Sequence, residues 1–146
     1  MGATLSAELL IDNSAWARLD EPRLPQQRAD EIAGWLEQGQ IAVCLPFLLE
    51  AGYSARNASD HDALLDELLS LPLISIDREI ERRALDAQAQ LARVGHHRLP
   101  PVDLIIAAIA DLRQFGILHY DSDYDLIREK TDLTFDSIWL VARGGL

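Results

Sequence analysis

Cysteine occurs once in this chain of 146 residues, as Cys44, so no internal disulfide can form. That fits a reducing compartment. The thiol lies in the apolar run IAVC with no basic neighbour to lower its pKa, which reads as a buried small hydrophobe rather than a nucleophile. Lysine also occurs once, as Lys130, and nearly all positive charge is arginine. Positive charge is itself scarce: 13 basic against 24 acidic residues leave a formal charge of −11. This argues against a generic basic duplex-DNA binder. It leaves nucleic acid open, because acids clustered at a site are neutralised by bound metal. It also suits a basic protein partner. No apolar run reaches the ~18–20 residues that a bilayer span needs. The N-terminus lacks the basic and long apolar regions of a signal peptide. A soluble cytoplasmic protein with no membrane association is expected. The opening MGATLS matches a myristoylation pattern, but no polybasic patch supports an anchor.

What is present is a core and an alternation. With 49% hydrophobic residues, the 146-residue chain fits one domain spanning 1–146. Strands are expected at ELLID (8–12), IAVC (41–44), LISI (73–76), ILHY (117–120) and FDSIWLV (135–141). Helices are expected at 13–19, 26–39, 46–56, 60–71, 77–94, 100–115 and 122–130. The helix opening at PPVD is apolar on nearly every side from Val102 to Ala110, which predicts a central, buried position. Alternating strands and helices imply an α/β domain with a mostly parallel sheet. In such sheets ligands bind beyond the carboxyl ends of strands, at a switch point in strand order.

Four acids end or interrupt these apolar segments: Asp12 in LLID, Glu50 in PFLLE, Asp103 in PPVD and Asp121 in ILHYD. Taken singly, Asp12 and Asp121 read more simply as helix N-caps, and Asp103 as a first-turn acid. Asp77, after LISI, is read as a cap only. Glu50 resists that reading, since it sits on an apolar helix face and needs a partner if buried. Two charges ~4 Å apart repel by about 4 kcal/mol at an effective dielectric near 20. Carboxylates gathered in one pocket would therefore take up protons or bind a cation. Oxygen ligands without clustered cysteine point to Mg2+, with Mn2+ as a substitute. Such ions stabilise the attacking and leaving oxygens of a phosphoryl displacement, so phosphodiester hydrolysis is the natural chemistry.

LLIDNSAWARL, PFLLEAGYSAR, GHHRLPPVDLIIAAIA and ILHYDSDYDLI, in that order, resemble successive signatures of the PIN-domain family. More narrowly, they resemble the VapC toxins of bacterial toxin–antitoxin pairs. The resemblance covers residues 8 to about 138. It implies a PIN-like three-layer sandwich with a central, mostly parallel five-stranded sheet flanked by helices. It also implies a metal-dependent endoribonuclease that cleaves RNA, often tRNA or rRNA, and is inactivated by a cognate VapB-type antitoxin. Carried over residue by residue, Asp12 and Asp103 are the firmest metal ligands. Glu50 completes the shell or orients a water, and Asp121 ligates a second metal or a water of the first. Asp123 is a further candidate ligand, weighed against a first-turn role. Ser14 bonds a carboxylate or phosphate oxygen, or simply starts its helix. Tyr124 stands where phenylalanine is common, a departure read as affecting packing only.

Basic residues flank these motifs. Arg18, Arg56, His97 and Arg98 are candidates for holding the RNA backbone, against the plain reading of surface charge. His119 reads as a buried, satisfied histidine, and Arg78, Arg82 and Arg83 as a solvated helix face. Trp16, Leu19 and Phe47 are candidates for an exposed patch that meets the antitoxin or a second copy in a homodimer. Two alternatives stay open: a non-catalytic PIN-like interaction module, and another metal-dependent phosphoesterase. A phosphoacceptor receiver domain ranks below both, because Lys130 precedes the last strand.

Overall fold

The computed structural model describes residues 7–146, so the MGATLS motif lies outside the described residues. Five strands build one sheet: β1 (Leu9–Ile11), β2 (Ile41–Cys44), β3 (Leu73–Ile74), β4 (Gly116–His119) and β5 (Asp136–Trp139). Their order is β3-β2-β1-β4-β5, and every pairing is parallel rather than mostly so. The register sets Leu10 against Ala42 on one side and Ile117 on the other. Strands β2 and β4 are buried along their whole length, as strands covered on both faces must be. Gly116 opens β4 because space is tight: a Cβ there would come within 2.9 Å of the Leu9 side chain and 3.3 Å of the Asp136 carbonyl.

Among the described residues seven helices connect the strands: α1 (Asn13–Trp16), α2 (Gln26–Glu37), α3 (Leu45–Tyr53), α4 (Ala58–Leu68), α5 (Arg78–Arg93), α6 (Pro101–Arg113) and α7 (Asp123–Lys130). The three-layer α/β architecture is the expected one. Helix α6 is the buried helix its composition predicts, with Leu104, Ile106, Ala107, Ala108, Ile109 and Ala110 all in the core. Helix α1 is shorter than the 13–19 expected and gives way to a turn after Trp16. No described helix is long and apolar enough to cross a membrane.

Two residues depart from expectation. Phe47 is fully buried, with Trp16 edge-on to its ring at 6.3 Å, so it lies in the core and not in an exposed patch. The exposed apolar residues of α3 are Leu45, Leu49 and Tyr53, one turn apart. Arg83 is not a solvated residue: it pairs with Asp111 at 3.0 Å and Asp132 at 3.1 Å, joining α5 to α6 and to the chain after α7. Asp77 caps α5, accepting from the Ile80 N–H at 2.9 Å, as expected; it also pairs with Arg113. Cys44 is buried, and desolvation pushes its thiol up to about 11, in keeping with an inert hydrophobe.

Candidate metal centre

Strand order reverses direction between β1 and β4. From β1 the chain proceeds outward to β2 and β3, while β4 and β5 lie on the other side. The crevice beyond the carboxyl ends of β1 and β4 is therefore the switch point. Asp12 follows β1 directly, and its N–H donates to the Leu118 carbonyl at 3.0 Å, which extends the ladder into the site. Asp121 lies two residues past β4 and accepts from the Asp123 N–H at 2.9 Å. Pro101 begins α6, whose first turn carries Asp103 into the same crevice with only 5% of its surface exposed. Glu50 arrives half-buried from α3.

Asp103, Asp121 and Asp123 each place a carboxylate oxygen within 4.8 Å of the other two. Asp12 and Glu50 stand outside that triad but adjoin it. The Tyr124 hydroxyl donates to Asp12 Oδ1 at 2.7 Å and reaches Asp103 Oδ1 at 3.3 Å, so Asp12 faces Asp103 across one phenol. Asp12 Oδ2 accepts from the Ser14 N–H at 3.0 Å and from Ser14 Oγ at 2.5 Å. Ser14 Oγ in turn accepts from the Tyr120 N–H, so the serine locks the carboxylate and the β4 end together. Burial raises the Glu50 carboxyl above its ordinary range, and the charges of Asp12 and Asp121 add to this.

Asp103 is the most perturbed acid. Burial first, then the charges of Asp12, Asp121 and Asp123, push its carboxyl up to about 8. Asp103 Oδ2 is buried without a hydrogen-bond partner among the described residues. A buried carboxylate oxygen left open beside other acids is costly unless a proton or a cation meets it. Asp123 is raised as well, by burial and then by Asp121.

A PIN domain family model matches residues 9–130. The chain belongs to the PIN domain family. Ribonuclease VapC18 of Mycobacterium tuberculosis is 38% identical over 139 residues, covering 93% of this chain and 97% of that protein. Ribonuclease VapC51 of the same organism is 34% identical over 140 residues, covering 96% and 98%. Among solved structures, the DNA-bound VapBC complex from Salmonella typhimurium contains a chain similar in fold, with a TM-score of 0.72 at 14% identity. That similarity covers 92% of this chain and 99% of that one.

In this PIN domain the donor set is entirely carboxylate oxygen, the chemistry that hard divalent cations select. The open Oδ2 of Asp103 is the clearest fit to such an ion. Asp121 is supported from behind by a chain of hydrogen bonds that sequence reasoning missed. The Asp121 N–H donates to His119 Nδ1 at 3.1 Å, and His119 Nε2 meets Ser137 Oγ at 2.7 Å. Ser137 Oγ and Trp139 Nε1 both donate to Asp125. With Nδ1 accepting, the proton sits on Nε2, and burial lowers the His119 pKa toward the neutral form. The expected buried, satisfied histidine is thus a strut behind Asp121.

Tyr124 corrects the reading that its hydroxyl matters only to packing, since it touches two of the four acids. The signal was available: a phenol in a core segment must find a polar partner. The basic residues are less gathered. Arg18 donates to the Ser14 carbonyl at 2.8 Å and lies 5.1 Å from the Tyr120 ring centroid, close to the acids. Arg56 is exposed and lines a cavity of about 320 Å³ with Asn13 and Trp16. His97 and Arg98 are exposed on the turn before α6.

Proposed function

We propose that this chain is a divalent-metal-dependent endoribonuclease, a single PIN domain over residues 1–146, acting as the toxin of a type II toxin–antitoxin pair. One observation carries the reading: Asp12, Asp121 and Asp123 gather at the β1–β4 switch point around Asp103, whose buried Oδ2 has no hydrogen-bond partner among the described residues. Curated relatives named as ribonucleases, at 38% and 34% identity over nearly the whole chain, support RNA as the substrate class. Asp12, Asp103 and Asp121, with Glu50 and Asp123, would hold Mg2+, or Mn2+ in its place. When bound, such an ion polarises a phosphoryl oxygen and makes a neighbouring water more acidic.

The chain's own residues do the rest. Ser14 and Tyr124 fix the direction of Asp12. His119 holds the backbone of Asp121. Glu50, half-buried at the rim, orients water. Arg18 and Arg56, with His97 and Arg98, would bind RNA phosphates on either side, where arginine makes bidentate contacts. A VapB-type antitoxin would regulate the site, and the net charge of −11 suits a basic segment of that partner. The stripe Leu45, Leu49 and Tyr53 on α3 supports a second copy of the chain as a homodimer partner.

The test is cleavage of purified RNA, compared with hydrolysis of a small phosphate ester, in Mg2+ and in EDTA. RNA should be cut in Mg2+ and spared in EDTA, the ester should not turn over, and Asp12→Ala should abolish cutting. RNA cleavage that continues unchanged in EDTA would overturn the metal requirement. Ester turnover would point to a different phosphoesterase, and RNA binding without cleavage to an interaction module.

A further inference from the structure

We propose that Tyr124 is a positioning residue of the acid pocket: its buried hydroxyl bridges Asp12 and Asp103 and holds the two carboxylates in facing positions for a divalent cation. This rests on the metal-site reading above and adds to it a residue that is not an acid.

Tyr124 is fully buried, its ring tilted against His119 at 4.9 Å between centroids. Its N–H meets the Asp121 carbonyl at 3.3 Å, so the residue is tied at its backbone to one acid and at its hydroxyl to two others. A phenylalanine would fill the same volume. The hydroxyl adds nothing to packing and is costly to bury unless it is bonded. Its hydrogen-bond partners are the two carboxylates, at 2.7 Å and 3.3 Å. The single hydroxyl thus ties the Asp12 carboxylate to the Asp103 carboxyl and holds the two facing.

The consequence is an asymmetric pair. Asp12 is committed at both oxygens, Oδ1 to Tyr124 and Oδ2 to Ser14. Asp103 touches Tyr124 through Oδ1 and leaves Oδ2 open. The phenol therefore aims the free Asp103 oxygen while clamping Asp12. Groups that orient metal-binding side chains in this way commonly change metal affinity by about 10–100-fold when removed.

The experiment compares the full chain with its Tyr124→Phe variant by calorimetric titration with Mn2+, alongside Tm with and without Mn2+. Mn2+ should bind the variant about 10–100-fold more weakly, with a smaller metal-induced rise in Tm. Equal affinity in the two proteins would overturn the inference alone. No Mn2+ binding by the unsubstituted protein would remove the metal-site reading, and this inference with it. A double-mutant cycle with Asp12→Ala, read as metal-free Tm, gives an independent check. Tyr124→Phe should cost less stability once Asp12 is gone; equal costs would show that the hydroxyl does not act through Asp12.

Discussion

Asp103 shows how one residue joins fold and chemistry. It is placed by the start of a buried helix, stripped of water, and surrounded by three other carboxylates. Its two oxygens differ: one shares the Tyr124 hydroxyl and one has no partner among the described residues. Asp103→Asn removes the charge while keeping the shape. At pH 8 the metal-free variant should be more stable, with Tm higher by about 2–4 °C. It should also lose the rise in Tm that Mg2+ or Mn2+ gives the unsubstituted chain. A thermal melt with and without metal checks both. An unchanged metal response would show that Asp103 is not a ligand. At this scale the sequence was only partly legible. LLID, PFLLE, PPVD and ILHYD expose the acids as interruptions of apolar runs. The Tyr124 hydroxyl was read as inert, because a phenol and a phenyl ring give the same apolar pattern.

At the scale of elements, the alternation of apolar strands and amphipathic helices made nearly every segment readable. Strands β1, β2 and β4 are short apolar runs, and α6 is apolar around its circumference. The ends were harder. Helix α1 stops at Trp16, where tertiary contact with Phe47 takes over from local preference. Edge strand β3 keeps only Leu73 and Ile74 of the four residues expected, since it pairs on one side alone. Arg83 could not be read either: its partners Asp111 and Asp132 lie 28 and 49 residues away, beyond any helical spacing. Asp77 was legible as a cap from its place after LISI. Asp77→Ala should lower Tm modestly through loss of the α5 cap. RNA cleavage should not change, because Asp77 lies outside the acid pocket. A loss of cleavage in the folded variant would contradict that separation.

For the whole molecule, charge and pH are linked through the same acids. In the unfolded chain Asp103 ionises near 3.8; in the folded chain it keeps its proton until about 8. Between these values the folded state binds more protons, so metal-free stability falls as pH rises. Glu50 and Asp123 are shifted in the same direction. His119 works the other way. Its pKa is lowered from 6.5 on folding, so its contribution is lost as pH falls through the acid side of that value. Above 6.5 the carboxylates dominate. The metal-free Tm should therefore decline from pH 6.5 to 8, a window set by His119 and Asp103. Saturating Mg2+ should flatten that decline, because a bound cation displaces the proton. Melts across this range, with and without Mg2+, check the sign. A metal-free Tm that rises toward pH 8 would contradict it.

In the proposed function these carboxylates hold the metal that RNA hydrolysis requires. The most direct measurement is the rate of RNA cleavage against Mg2+ concentration, for the unsubstituted chain and for Asp103→Asn side by side. Cleavage should saturate with Mg2+ in the first protein, vanish in EDTA, and be about 100-fold or more lower in the second at every concentration. Cleavage by Asp103→Asn at the same rate and with the same Mg2+ dependence would contradict it.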